Sequence, residues 1–145
     1  KGENKNKLFE ILDNETQKLK AIIPEFIYGE ENDRIEQRVG ELLLSKKATL
    51  ATAESFTSGY LSHLITSVPG SSSYFRGSII AYGNEIKKTV LNISPDAIKN
   101  YGVVSEQVVK EMALSVKKIM GVDYALSTSG IAGSQKMRPS RCSIT

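Results

Sequence analysis

The sequence predicts an α/β fold: a three-layer α/β/α sandwich built on a mixed, largely parallel sheet. Short runs of small, β-branched and other apolar residues, typical of buried strands, stand at residues 49–53, 74–83 and 123–130. Stretches with apolar residues three or four positions apart, typical of amphipathic helices, lie between these runs. Strands that alternate with helices in this way favour parallel pairing, with the helices covering the sheet.

The first 31 residues differ from the rest of the chain and predict a linker or N-terminal arm. A helix is indicated from Asn4 to Lys20, and Pro24 and Gly29 interrupt the chain after it. The apolar residues of this helix fall roughly on one side: Leu8, Ile11, Leu12 and Leu19. Because the chain does not begin with Met, we expect it to be part of a longer polypeptide.

The main domain is expected to begin at residue 32 with a helix capped by Asn32 or Asp33. The apolar residues of this helix follow an amphipathic pattern: Ile35, Val39, Leu42 and Leu43. The strand TLATA comes next and ends at a turn, ESFTSG, from which a second helix starts.

A loop, SVPGSSS, then separates this second helix from the strand predicted at residues 74–83. The strand is followed by a short helix, NEIKKTVLN, with Asn84 as its expected N-cap.

Two further helices and one strand complete the predicted domain. Ser94 and Pro95 begin the first of these helices, while Ser105 caps the longer second one and Gly121 ends it. The apolar face of the longer helix is expected to contain Val108, Val109, Met112, Val116 and Ile119. The last strand, DYALSTSG, leads into the loop SGIAG, residues 129–133.

Composition excludes several classes of protein. The 145 residues are 40% hydrophobic and 24% charged with a net charge of +3, so we expect a globular domain without a basic surface for nucleic acid. No apolar run is long enough for a membrane span. With Cys142 and His63 as the single cysteine and histidine, we expect a cytoplasmic protein that holds no metal and needs no cofactor.

Three strand ends carry small polar or glycine-rich sequences, which predicts a site at one edge of the sheet. Ser55 follows the first strand, where its hydroxyl would lie beside free backbone N–H groups of Phe56 to Gly59. Helix capping is the alternative role for this serine. A serine nucleophile needs a base, and His63 is excluded because eight helical residues separate it from Ser55 by about 12 Å.

Four sequence blocks together resemble the C-terminal domain of the CinA family and the related bacterial nicotinamide-mononucleotide deamidases. The blocks are AESFTSG, YGNEIK, GVVSE and SGIAG, where the family reads AESCTGG, YxNExK, GxVSE and TGIAGP. The order and spacing of the blocks match the family over residues 32–133, and IIPEFIYGEEN resembles the linker that precedes this domain.

The resemblance implies hydrolysis of an amide, converting nicotinamide mononucleotide to nicotinic acid mononucleotide and ammonia. It implies a catalytic pair of Ser55 and Lys87 with Tyr82 nearby, although composition alone favours a solvated helix face for both Lys87 and Lys88. Glu54 would either hold Lys87 in place or contact a ribose, and the sequence leaves both open. The other residues implied in substrate binding are Thr57, Ser58, Gly59, Asn84, Ser129, Gly130, Ile131, Ala132 and Gly133.

The chain departs from the family pattern at three places. Phe56 replaces a cysteine, Ser58 replaces a glycine, and residues 134–145 form a divergent tail instead of a Pro-Gly-Gly loop and another core strand. We therefore expect a sheet that is truncated at its C-terminal side, with an exposed edge that favours a homodimer. A catalytically silent module for nucleotide binding or assembly within a larger CinA-type protein is the alternative function.

Overall fold

The computed structural model describes residues 4–29, 32–131 and 143–144. Contacts divide the chain into two compact units, Lys1–Arg38 and Val39–Thr145. In the first unit, helix α1 (Lys5–Ile22) is followed by a single 3₁₀ turn at Pro24–Phe26. Asn4 caps α1 as its side chain accepts hydrogen bonds from the N–H groups of Asn6 and Lys7. The predicted apolar side of α1 is exposed, and the helix contains no buried residue.

The sheet belongs to the second unit and has the strand order β2-β1-β3-β4. Its strands are β1 (Leu50–Glu54), β2 (Phe75–Ile80), β3 (Tyr124–Ser129) and β4 (Ser143–Ile144). Strand β1 lies in the middle and pairs in parallel with β2 and β3, whereas β4 pairs antiparallel with the last two residues of β3. The prediction of a mixed, largely parallel sheet is therefore confirmed, and the divergent tail supplies a short strand of its own.

The helices cover both faces of the sheet. They are α2 (Ile35–Ser45), α3 (Tyr60–Thr66), α4 (Asn84–Thr89), α5 (Pro95–Tyr101) and α6 (Glu106–Met120). One core cluster joins Ala51 and Ala53 of β1 to α5 and α6. A second cluster joins Leu50 of β1 to α2 and α3 on the opposite face. All five residues of β1 are buried, and successive strand residues point to opposite faces, so β1 is covered on both sides. The sheet is therefore the middle of three layers.

The ends of α4, α5 and α6 follow the predicted signals with one exception. Ser94 and Ser105 cap α5 and α6 as predicted, and Gly121 ends α6 with a left-handed backbone, φ +61°. Asn84 is the first residue of α4 and not its cap, because Gly83 holds the extended N-cap conformation. Ile119 was expected on the buried face of α6 but is 48% exposed, whereas its neighbour Met120 packs against the core cluster.

None of the helices within the described residues is both long enough and apolar enough to cross a membrane.

Candidate active site

Ser55 stands directly after β1, at the carboxyl edge of the sheet. Its N–H donates to the carbonyl of Thr128 at 3.0 Å, which extends the pairing of β1 and β3 by one residue. The residue is buried, with 6% of its surface exposed. The sheet therefore fixes the backbone that carries the hydroxyl group.

Lys87 reaches Ser55 from α4. Its Nζ lies 2.9 Å from Ser55 Oγ, 2.8 Å from the carbonyl oxygen of Ala81 and 3.2 Å from that of Tyr82. Ala81 is itself held to the end of β1, because its N–H donates to the carbonyl of Glu54 at 2.7 Å. The structure thus brings the predicted serine and lysine into direct contact.

Lys87 is buried, with 1% of its surface exposed, and this burial lowers the pKa of its amine. Among the described residues, no ion pair joins Lys87 to a carboxylate that would keep it protonated. The neighbouring Lys88 differs in both respects, since it lies at the surface and pairs with Glu85 at 2.9 Å. A solvated helix face, which composition favoured for both lysines, therefore applies to Lys88 alone.

Glu54 organises the turn after β1. It is fully buried, and its Oε2 accepts hydrogen bonds from the N–H groups of Gly59 and Leu61 at 3.0 and 3.1 Å. Its Oε1 accepts from the N–H and the hydroxyl of Ser62. Burial by itself would raise the pKa of Glu54, but these hydrogen bonds and one from Thr57 outweigh it and lower the pKa.

Neither role foreseen for Glu54 matches these contacts. Among the hydrogen bonds that the structure describes, none joins Glu54 to Lys87. With no exposed surface, the carboxylate is also absent from the wall of the cleft described below. Glu54 binds the start of α3 because its side chain lies on the face of the sheet that this helix covers.

The turn after Ser55 contains Thr57, Ser58 and Gly59, whose hydrogen bonds and backbone conformations connect β1 to α3. Thr57 Oγ1 lies 2.6 Å from Glu54 Oε2 and 2.7 Å from Thr128 Oγ1, so it ties the turn to β3. Gly59, at φ +96°, is the N-cap of α3. Ser58 also has a left-handed backbone, φ +49°, where a side chain is unfavourable.

The backbone donors expected from Phe56 to Gly59 divide into two groups. The N–H of Ser58 donates to the carbonyl of Ser55, and that of Gly59 donates to Glu54, so these two are occupied. Within the described residues, the N–H groups of Phe56 and Thr57 donate to no protein acceptor. These two groups are therefore the ones left to bind an oxygen atom at the serine.

An open cleft of about 510 Å³ lies over the serine and the lysine. Its wall consists of Ser55, Phe56, Tyr82, Asn84, Lys87, Gly102, Val103, Val104, Gly130 and Ile131. The side chain of Tyr82 is exposed, and the structure describes no hydrogen bond of its hydroxyl to Ser55 or Lys87. The contact of Tyr82 with the amine is made by its carbonyl oxygen.

The loop after β3 contributes part of this wall. Gly130 and Ile131 line the cleft, whereas Ser129 is buried and its hydroxyl donates to the carbonyl of Val103. The predicted binding residues Ala132 and Gly133 lie outside the described residues.

Sequence reasoning missed the lining residues Gly102 to Val104 and the acceptor role of Ala81. The GVVSE block was the available signal for the first. The acceptor role of Ala81 could not be predicted, because every residue has a backbone carbonyl.

No group of three or more His, Cys, Asp or Glu side chains placed to hold a metal ion occurs in the part of the chain that the structure describes.

The fold and the site define an α/β domain with a buried serine–lysine pair at the carboxyl ends of parallel strands. The family model of the CinA C-terminal domain matches residues 32–142, and the chain belongs to the CinA family.

The chain is 48% identical over 117 residues to a CinA-like protein of Prochlorococcus marinus (strain MIT 9215), covering 81% of this chain and 28% of that protein. It is 42% identical over 132 residues to a CinA-like protein of Cytophaga hutchinsonii, covering 91% and 32%. The chain thus spans about a third of the length of the curated relatives it matches.

The crystal structure of a competence or damage-inducible protein from Enterobacter asburiae is similar in fold, with a TM-score of 0.68 and 29% identity. The match covers 69% of this chain and 63% of that one.

Proposed function

We propose that this domain is an amidohydrolase in which Ser55 is the nucleophile and Lys87 is its general base. The proposed reaction converts nicotinamide mononucleotide to nicotinic acid mononucleotide and ammonia. The observation that carries the proposal is the 2.9 Å contact between Ser55 Oγ and a lysine amine that is buried without a carboxylate partner among the described residues.

Lys87 Nζ donates to three acceptors, the carbonyls of Ala81 and Tyr82 and Oγ of Ser55, which matches the three N–H groups of an ammonium. When this amine loses one proton, the two carbonyls can keep its two remaining N–H groups. Its lone pair then faces Ser55 and can accept the serine proton. Burial lowers the pKa of Lys87 toward the range in which a lysine acts as a base.

The reaction follows from this arrangement. Ser55 Oγ bonds to the carboxamide carbon as its proton moves to Lys87 Nζ, and the N–H groups of Phe56 and Thr57 stabilise the oxygen that becomes negative. The carbon–nitrogen bond then breaks, and ammonia leaves with the proton from Lys87. Water adds to the acyl-enzyme and gives one proton to Lys87. The serine–carbon bond then breaks as Lys87 returns this proton to Ser55 Oγ, which releases the carboxylic acid and restores the neutral amine.

The test is ammonia release from nicotinamide mononucleotide by the purified chain, with Lys87→Met compared with the matched control Lys88→Met. Loss of a positioned base costs about 10²- to 10⁴-fold in rate, so we expect that loss for Lys87→Met and less than a twofold change for Lys88→Met. Ser55→Ala should remove turnover. Equal rates for the two lysine variants would refute the proposed base.

The alternative, a silent module that binds a nucleotide, makes a different prediction for the same protein. It is favoured by Ser58, whose side chain occupies a left-handed position where the family has glycine. Binding of nicotinamide mononucleotide without any ammonia release would support this alternative.

A further inference from the structure

The wall of the cleft carries two kinds of residue. Ser55, Lys87 and Asn84 are polar, whereas Phe56, Val103, Val104 and Ile131 are apolar. Phe56 directly follows the nucleophile in the chain. A ligand whose polar group reaches Ser55 therefore places its adjoining atoms near an aromatic ring.

The side chain of Phe56 packs against Gly130, which follows β3. A Cβ atom at Gly130 would lie 3.0 Å from Cγ of Phe56 and 3.2 Å from its Cβ, so the side chain packs closely against the glycine. Phe56 is 43% exposed and lines the cleft. A partly exposed aromatic ring in the wall of a cleft can offer its face to a flat ligand.

The aromatic ring of Phe56 is a group in the described wall of the cleft that can attract a cationic ligand ring. No carboxylate is present among the described lining residues. Lys87 also lines the cleft, but its burial disfavours the charged form of its amine. An uncharged amine would not repel a cationic ligand. The face of an aromatic ring attracts a cation placed over it.

We propose that Phe56 is a specificity-determining residue on which a flat, cationic pyridinium ring stacks while its carboxamide reaches Ser55. The inference rests on the proposed function, because the carboxamide is the group that Ser55 attacks there. Phe56 stands where the family pattern has a cysteine, so the stacking face is a property of this chain.

The experiment measures binding by calorimetry in a Ser55→Ala background, in which nicotinamide mononucleotide is not consumed. The comparison ligand is its 1,4-dihydro form, which keeps the carboxamide, ribose and phosphate but has an uncharged, non-aromatic ring. Phe56→Leu keeps an apolar side chain and removes the aromatic face. Phe26→Leu, in the other compact unit, makes the same change at an exposed position.

We expect Phe56→Leu to weaken binding of the pyridinium ligand about five- to tenfold and that of the dihydro ligand less than twofold. Phe26→Leu should change neither, and Phe56→Tyr should restore tight binding. Equal effects of Phe56→Leu on both ligands, or none, would overturn the proposal, as would absence of any binding to the Phe56 protein. A thermal melt of each variant identifies changes caused by unfolding.

Ammonia release separates this proposal from the proposed function. If ammonia release occurs at the same rate in the wild type and in Phe56→Leu, the amidohydrolase proposal stands and the stacking proposal is refuted. If Phe56 selects the pyridinium ligand but no ammonia is released, the stacking proposal stands and the amidohydrolase proposal is refuted.

Discussion

Replacing Glu54 by glutamine tests whether its carboxylate organises the turn that carries Ser55. Oε2 accepts two backbone N–H groups, from Gly59 and Leu61, which cannot reverse direction. The new amide nitrogen must therefore face Ser62, whose hydroxyl can rotate but whose N–H, now 2.8 Å from Oε1, loses its acceptor.

One unsatisfied buried N–H costs about 1–3 kcal/mol, and each remaining bond weakens by about 1 kcal/mol when its acceptor loses the charge. The lower cost of burying a neutral amide offsets part of this loss. We expect Glu54→Gln to lower the free energy of unfolding by about 3 kcal/mol, a large share of the roughly 5–15 kcal/mol of a typical domain.

The assay is urea unfolding followed by circular dichroism, with Glu85→Gln as the control. Glu85 is exposed and pairs only with Lys88 among the described residues, so its loss should cost less than about 0.5 kcal/mol. The free-energy difference for Glu54→Gln should also depend on pH. Because the pKa of Glu54 is lowered in the folded state, its stabilisation is complete above the unfolded pKa of about 4.3 and is lost as pH falls through the folded value.

A difference below about 1 kcal/mol at neutral pH, or one that persists unchanged in acid, would refute the assigned role of the carboxylate.

Three further predictions follow from the structure. Burial lowers the pKa of Lys87, so the stability of the wild-type chain should rise with pH between the folded value and the unfolded value of about 10.4; urea titrations should show this slope disappear in Lys87→Met and persist in Lys88→Met. Ser58→Gly should raise the free energy of unfolding by up to about 1 kcal/mol, because glycine tolerates φ +49°, and a loss of stability would contradict this. Gly130→Ala should raise the KM of the proposed amide hydrolysis, because the added Cβ would displace Phe56. The rise in KM should be smaller when Gly130→Ala is made in a Phe56→Cys background, and purely additive effects in this double-mutant cycle would exclude the contact.

Most of the fold could be predicted from local signals in the sequence. The caps at Ser94, Ser105 and Gly121 lie where their residue types predict, and the small apolar residues of β1 fit a strand buried on both faces. The failures are at positions that depend on context. Gly83 takes the extended N-cap conformation in place of Asn84, and Met120 rather than Ile119 packs against the core in the last turn of α6.

The site was less accessible to sequence reasoning. Family motifs suggested Ser55 and Lys87, yet no pattern in the sequence says that a lysine is buried or that Ala81 and Tyr82 hold its amine with their carbonyls. Glu54 was expected either to hold Lys87 in place or to contact a ribose. Strand alternation turns its side chain to the face covered by α3, where it binds backbone N–H groups. The expected homodimer and cytoplasmic location stay predictions.

The hydrogen bond from Ala81 N–H to the carbonyl of Glu54 links Ser55 to Lys87 through the main chain. The serine follows one of the joined strands, and the carbonyl that anchors the amine follows the other. The sheet itself thus sets the distance between Ser55 and Lys87. Under the proposed amidohydrolase function, exchanging the residues that line the rest of the cleft would change substrate choice while this main-chain link keeps the two side chains in contact.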